Sequence, residues 1–182
     1  AVGHPGASAP SGRYSAEGFA EAARRLVTED NWSIVFTGGV AERELVDKIR
    51  ARMEAPSHAL VGELDLEELA ALIALAPILI SNNTGPAHIA AAMGTPVVDL
   101  YALTNPQHTP WAVPSRVLFH DVPCKWCYKS ICPLGHQDCL RLVTPDAVVV
   151  AARELLREVR EGVGAAGRAN GASRTLVLTT LP

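Results

Sequence analysis

Residues 78–100 constrain the fold more than any other part of this chain. An apolar run, Ile78-Leu79-Ile80, leads into the polar turn Ser81-Asn82-Asn83-Thr84-Gly85. A small-residue segment over 86–93, a Gly94-Thr95-Pro96 break and a second apolar run from Val97 follow. That order reads as strand, turn, helix, turn, strand, and open parallel sheets place ligands at the carboxyl ends of such strands. Thr84 suits the N-cap, and Pro86 suits the first helical turn, where a missing N–H leaves no intrahelical bond unmade. Gly85 lets a ligand approach the backbone, so the N–H groups of Gly85, Ala87 and His88 are expected to converge on an anion. Turns of this shape also occur in α/β proteins that bind nothing there. A structural cap needs one polar side chain, however, and Asn82, Asn83, Thr84 and His88 crowd this turn. The stretch predicts a phosphate site with a histidine at its edge.

The same alternation runs along the chain. A strand ends at His4-Pro5-Gly6, and a Ser/Pro/Gly-rich loop covers 7–12. Ser15 then caps a helix with Phe19, Ala23, Leu26 and Val27 at 3.6-residue spacing. Residues 32–37 read as a buried strand ending in Gly38-Gly39. Leu45, Val46, Ile49 and Met53 mark a second helix, and 59–61 a short strand. Asp65 and Glu68 open a third helix like a capping box, with Leu66, Leu69, Ala70 and Ile73 along it. Residues 116–120 form another strand. Thr144-Pro145-Asp146 starts a last helix to about residue 159, with Val148, Ala152, Leu155 and Leu156 on one face. Strands alternating with helices predict an α/β fold, a Rossmann-like parallel sheet with helices on both faces. Residues 161–182 read as a mobile tail, in which 175–182 find no place.

A chain of 182 residues suits one domain with a substantial core, and a net charge of −3 leaves no footprint for nucleic acid. The longest apolar stretch, 69–80, is too short to span a bilayer and contains Pro77. The expectation is a cytoplasmic protein without a transmembrane segment. The start at Ala1, directly before an apolar segment, reads as a piece of something longer.

In a parallel sheet the turns after successive strands share one crevice. The first carries Ser8 and Arg13, a hydroxyl and a guanidinium suited to phosphate oxygens; the second carries Glu42, an acid placed to accept from a ribose diol. Taken singly, Arg13 reads better as a solvated loop cation and Glu42 as a complement to the helix dipole. Their common location favours the crevice. His108 and Trp111 follow in the loop after the strand at 97–101. All four cysteines fall together as Cys124-x2-Cys127-x4-Cys132-x6-Cys139, with His120 and His136 nearby. The spacing is compatible with a structural zinc or iron–sulfur site, with two disulfides, or with free thiols.

His4-Pro5-Gly6-Ala7-Ser8, then Thr37-Gly38-Gly39 with Glu42, then Ser81-Asn82-Asn83-Thr84-Gly85-Pro86-Ala87-His88 together resemble the C-terminal domain of glycosyltransferase family nine. That family includes the ADP-heptose:lipopolysaccharide heptosyltransferases. The resemblance covers about residues 1–160, with Thr-Gly-Pro-x-His its most specific element. The cysteine loop over 120–140, ending in Cys139-Leu140 before Thr144-Pro145, looks like one branch of the family.

The resemblance implies the donor-binding, C-terminal half of a two-domain GT-B enzyme. Thr84, Gly85 and His88 would hold the donor diphosphate, Ser8 a phosphate oxygen and Glu42 the ribose, while Leu64 would lie against the adenine. The implied chemistry is inverting transfer of heptose from ADP-heptose to the lipopolysaccharide inner core. It requires no cofactor, and a structural metal is left to the cysteine loop. The acceptor and the catalytic base are expected in an N-terminal domain outside this sequence, with peripheral placement at the inner membrane. Two departures bear on this. Asn83 stands where the family often has an aspartate associated with the donor sugar. Gly12 stands where a lysine is usual, with Arg13 beside it to supply the charge. Two alternatives stay open: a GT-B enzyme using a UDP- or GDP-sugar, and a non-catalytic, metal-holding binding module.

Overall fold

The computed structural model describes residues 1–165 and 176–179. In chain order these form β1 (Val2–His4), α1 (Ala16–Asp30), β2 (Val35–Gly38), α2 (Arg43–Met53), β3 (His58–Val61), α3 (Leu66–Leu75) and β4 (Leu79–Asn82). Then come α4 (Gly85–Met93), β5 (Val97–Leu100), β6 (Ser115–Phe119), α5 (Asp138–Arg141), α6 (Pro145–Ala165) and β7 (Leu176–Thr179). All seven strands pair in parallel in the order β3-β2-β1-β4-β5-β6-β7. Because β1 is followed outward by β2 on one side while β4 lies on its other side, the order reverses between β1 and β4. That reversal opens a crevice above their carboxyl ends.

Local chemistry sets the elements. The Ser15 hydroxyl accepts from Gly18 N–H at 3.0 Å to start α1, and Asn31, left-handed at φ 57°, stops it by donating its N–H to the carbonyls of Leu26 and Val27. Asp65 and Glu68 form the expected reciprocal capping box at the start of α3. Leu66 on its first turn is exposed rather than packed, and Ile73 is the residue α3 buries fully. Helices α1, α2 and α6 cover one face of the sheet over Phe36, Ile80, Val98 and Leu118. Helices α3 and α4 cover the other over Val2, Leu79 and Val97. Burial on both faces is what the unbroken aliphatic runs of β4 and β5 require.

Two expectations about the chain end change. The last helix continues past residue 159 to Ala165, and Leu176–Thr179, which the sequence left unplaced, pairs with Arg116–Phe119. The expected mobile tail thus includes the end of α6 and all of β7; residues 166–175 and 180–182 lie outside the described residues.

Candidate functional site

The crevice is built on one buried side chain. Asn82, the last residue of β4, is fully buried. Its amide nitrogen donates to the carbonyls of Pro5 at 2.8 Å and Gly6 at 3.3 Å, and its oxygen accepts from Tyr14 N–H at 3.0 Å. One amide therefore fastens both ends of the loop between β1 and α1 to the end of β4. On the neighbouring strand, His4 Nδ1 lies 3.0 Å from Thr37 Oγ1, and burial holds this imidazole below its usual pKa against the opposing pull of Glu42.

Glu42 enters over the same turn. One carboxylate oxygen accepts from Gly39 N–H at 2.7 Å, and the group lies against the bare backbone of Gly6 and Gly38. A Cβ at Gly6 would sit 1.7 Å from Glu42 Oε1, so glycine at this position is what admits the carboxylate. Glu42, Ser8, Asn83, Thr84 and Gly85 line one cavity of about 280 Å³. Ser8, Asn83 and Thr84 are shared with an adjoining cavity of about 140 Å³, which is closed on its far side by Ala102, Leu103 and Thr104.

The start of α4 differs in detail from the sequence reading. The Thr84 side chain makes no capping bond; its hydroxyl donates to the Asn82 carbonyl at 3.2 Å. Ala87 N–H is also not free for an anion, because it donates to the Thr84 carbonyl at 3.0 Å in the tight first turn. Gly85 keeps open surroundings, with nothing within 4 Å of where a Cβ would be. Asn83 Oδ1 is buried and has no hydrogen-bond partner, although the residue lines both cavities. A buried acceptor left unmade is costly, and a ligand hydroxyl or ordered water is the usual remedy.

The remaining candidates spread out. His88 is exposed and lines a separate open cleft of about 390 Å³ with His108, Gln107 and Trp111, not the cavity of Glu42 and Ser8. Arg13 is exposed and donates Nε to the Ala7 carbonyl at 2.6 Å, which fixes the turn that carries Ser8. Leu64 is half-buried beyond the end of β3 and lines neither cavity. The clamp by Asn82 and the wall at 102–104 have no local sequence signal beyond a polar residue at a strand end and a loop after β5.

The family model for "Glycosyltransferase family 9 (heptosyltransferase)" matches residues 1–137. The chain belongs to glycosyltransferase family 9. This family 9 chain is 29% identical over 160 residues to lipooligosaccharide heptosyltransferase 2 of Campylobacter jejuni, covering 85% of itself and 50% of that protein. Among solved structures it resembles a family 9 glycosyltransferase from Veillonella parvula, with TM-score 0.77, 31% identity, and coverage of 86% of this chain and 46% of that one. It also resembles E. coli ADP-heptose LPS heptosyltransferase II, with TM-score 0.72, 26% identity, and coverage of 87% and 47%. The family 9 chain thus spans about half the length of the relatives it matches.

Next to the crevice of this family 9 domain runs the segment between β6 and α6, which holds only the single turn of α5. Trp126 anchors it, edge-on to Tyr101 and Phe119 with centroids 5.5 and 5.0 Å away. The four cysteines are free thiols, and all four, with His136, line one cavity of about 20 Å³. Backbone amides around Cys132, that of Gln137 foremost, hold its thiol below the usual value, whereas burial pushes Cys139 up. Among the described residues no group of three or more His, Cys, Asp or Glu side chains is gathered at metal-binding geometry, and no helix is long and apolar enough to cross a membrane.

Proposed function

We propose that residues 1–160 are the donor-binding half of an inverting heptosyltransferase that uses ADP-heptose and extends the lipopolysaccharide inner core. The observation that carries this reading is the orphaned buried oxygen of Asn83 in the cavity pair shared by the Ser8 and Thr84 hydroxyls and the Glu42 carboxylate. Such a set suits a nucleoside diphosphate sugar. Hydroxyls and the amide end of α4 face phosphate oxygens, Glu42 accepts from ribose hydroxyls, and Asn83 accepts from a sugar hydroxyl. Thr84, Gly85 and His88 are assigned to the diphosphate, Arg13 to holding the Ser8 turn, and Leu64 to the adenine side. The relatives' names, heptosyltransferase 2 of C. jejuni and the ADP-heptose enzyme of E. coli, support the choice of donor.

In the proposed reaction an acceptor hydroxyl loses its proton to a base in the N-terminal half, and its oxygen bonds to the anomeric carbon. The bond from that carbon to the phosphate oxygen breaks, and ADP leaves with the electron pair. The positive end of α4 stabilises the charge that develops on ADP, so the step requires no cofactor; a metal at the cysteine loop would be structural. The proposed location is the cytoplasm, peripheral to the inner membrane.

Calorimetric titration of the chain with ADP, UDP and GDP tests the donor. Selective binding of ADP, weakened about tenfold, or about 1.4 kcal/mol, by Thr84→Ala or Glu42→Gln, is the expected result. Preference for UDP or GDP would move the function to another nucleotide sugar, and affinity unchanged by both substitutions would refute the site.

A further inference from the structure

A diphosphate is an anion at neutral pH, yet among the described residues no lysine or arginine lines either cavity of the crevice. Arg13 lines neither, its Nε being turned to the Ala7 carbonyl at 2.6 Å, and His88 faces the separate cleft with Trp111. Glu42 adds negative charge to the wall. The one basic side chain there is His4. We propose that His4 is a ligand of the donor diphosphate and takes up a proton as the diphosphate enters the cavity. This rests on the donor reading above and supplies the positive charge that the cavity otherwise lacks.

His4 stands in a buried polar row across the sheet. Thr37 on β2 lies beside it, Ser81 on β4 is in register with it, and Asp99 on β5 is in register with Ser81. The imidazole is 8% exposed, and its Nδ1 lies 3.0 Å from Thr37 Oγ1. The Ser81 hydroxyl donates elsewhere, to the Asn82 carbonyl at 2.7 Å. Nε2 is therefore the ring atom left to meet a ligand. The partner on Nδ1 is a hydroxyl, which both donates and accepts. Thr37 can donate to Nδ1 of the neutral ring and accept from Nδ1–H of the charged one, turning only its own hydrogen. The ring gains a proton without any heavy atom moving.

The proton follows the charges around the ring. In the free chain burial holds the imidazole neutral, and Glu42 pulls the other way. Thr37 and Ser81 carry no charge, and burial favours the neutral form of Asp99, two strands away. A bound diphosphate adds its anionic oxygens to the pull of Glu42 and shifts the ring to its charged form. Nε2–H then donates to a phosphate oxygen. When the sugar is transferred, ADP leaves with one more negative charge than the donor diphosphate carried. The imidazolium offsets that charge and keeps its proton.

Titrating the chain with ADP in buffers of low and high ionisation enthalpy reads binding and proton uptake together. His4→Gln keeps a hydrogen-bonding side chain but takes no proton, and subtracting it removes the ionisation of ADP itself. The wild-type chain should take up about half a proton more per ADP than His4→Gln, and its affinity advantage should shrink about tenfold between pH 6 and pH 8. Thr37→Val should reduce the uptake, whereas His88→Gln should keep it even as affinity falls. Nitrogen-15 spectra of the wild-type imidazoles, with His4 assigned through His4→Gln, should show its ring neutral in the free chain and charged with ADP. This readout does not depend on how the variant folds. ADP binding with equal uptake in both proteins, loss of the uptake only in His88→Gln, or a His4 ring that stays neutral in the complex would each overturn the assignment and leave the donor reading standing. No binding of ADP would overturn the donor reading, and this assignment with it.

Discussion

Around the crevice the turns are held from within the sheet, by Asn82 on the Pro5 and Gly6 carbonyls and by Glu42 on Gly39 N–H. Across Leu103, residues 120–143 contain no strand or long helix; they are held by the aromatic contacts of Trp126, by the buried side chains of Leu140 and Val143, and by hydrogen bonds to Ser11, Tyr14, Leu103 and Pro10. The first region inherits rigidity from packing on both faces of β1 and β4. The second has to acquire it from side chains. Changes at the crevice should therefore show as lost global stability or lost affinity, and changes in the loop as local opening.

The largest effect is expected at Asn82. Asn82→Leu keeps the branched shape but strips partners from Tyr14 N–H and two carbonyls in a fully buried setting, which should cost about 3 kcal/mol in urea unfolding. A loss under about 1 kcal/mol would mean the loop after β1 is held by something else.

Asp99, on β5 between the crevice strand β4 and β6, should give the next largest change, of opposite sign. Its carboxylate is fully buried, both oxygens lack hydrogen-bond partners, and burial raises its pKa well above the ordinary aspartate value of 3.8. A raised acid binds its proton more tightly in the folded chain. Its contribution is therefore full below pH 3.8 and falls as pH rises, until the buried group itself ionises. Asp99→Asn should remove that decline and stabilise the protein at pH 7 by about 1–2 kcal/mol, with little difference at pH 3.5. Unfolding curves across pH that keep the same slope in both proteins would contradict the assignment.

Gly6→Ala tests the crevice by affinity. The new Cβ would displace the flexible end of Glu42, so stability should fall only slightly while ADP affinity falls about tenfold, or about 1.4 kcal/mol. An equal loss in a Glu42→Gln background would show that the methyl acts elsewhere.

How much of this was legible in the sequence follows the same division. The strands, the Ser15 cap and the Asp65–Glu68 box are written within a few residues of themselves, and apolar runs with turn residues suffice to read them. The gathering of Ser8, Glu42, Asn83, Thr84 and Gly85 follows from parallel order, since turns at one end of a sheet must meet. What local pattern does not hold is where a side chain goes once two elements meet. Nothing around Asn82 announces that it reaches back to Pro5 and Gly6, and helical spacing does not say that His88 faces the cleft with His108. Thr84 reads as a cap by residue type, yet the tight turn diverts its hydroxyl to the Asn82 carbonyl. The strand at 176–179 was missed because its partner β6 lies some sixty residues earlier, and pairing at that distance leaves no local pattern.

The smallest expected effect falls in the loop. Gln137 holds Pro10 through one exposed hydrogen bond at 3.1 Å, and its backbone is left-handed at φ 52°, a cost that alanine would share. Gln137→Ala should therefore change global stability by no more than about 0.5 kcal/mol, because an exposed amide regains water when its partner is lost. Its mark should be local: faster amide exchange at residues 9–12 with little change in the sheet. Exchange at residues 9–12 unchanged by the substitution would mean that the turn is held by other contacts. A large loss of global stability would mean that residues 120–143 belong to the same cooperative unit as the sheet, and the contrast between the two regions would disappear.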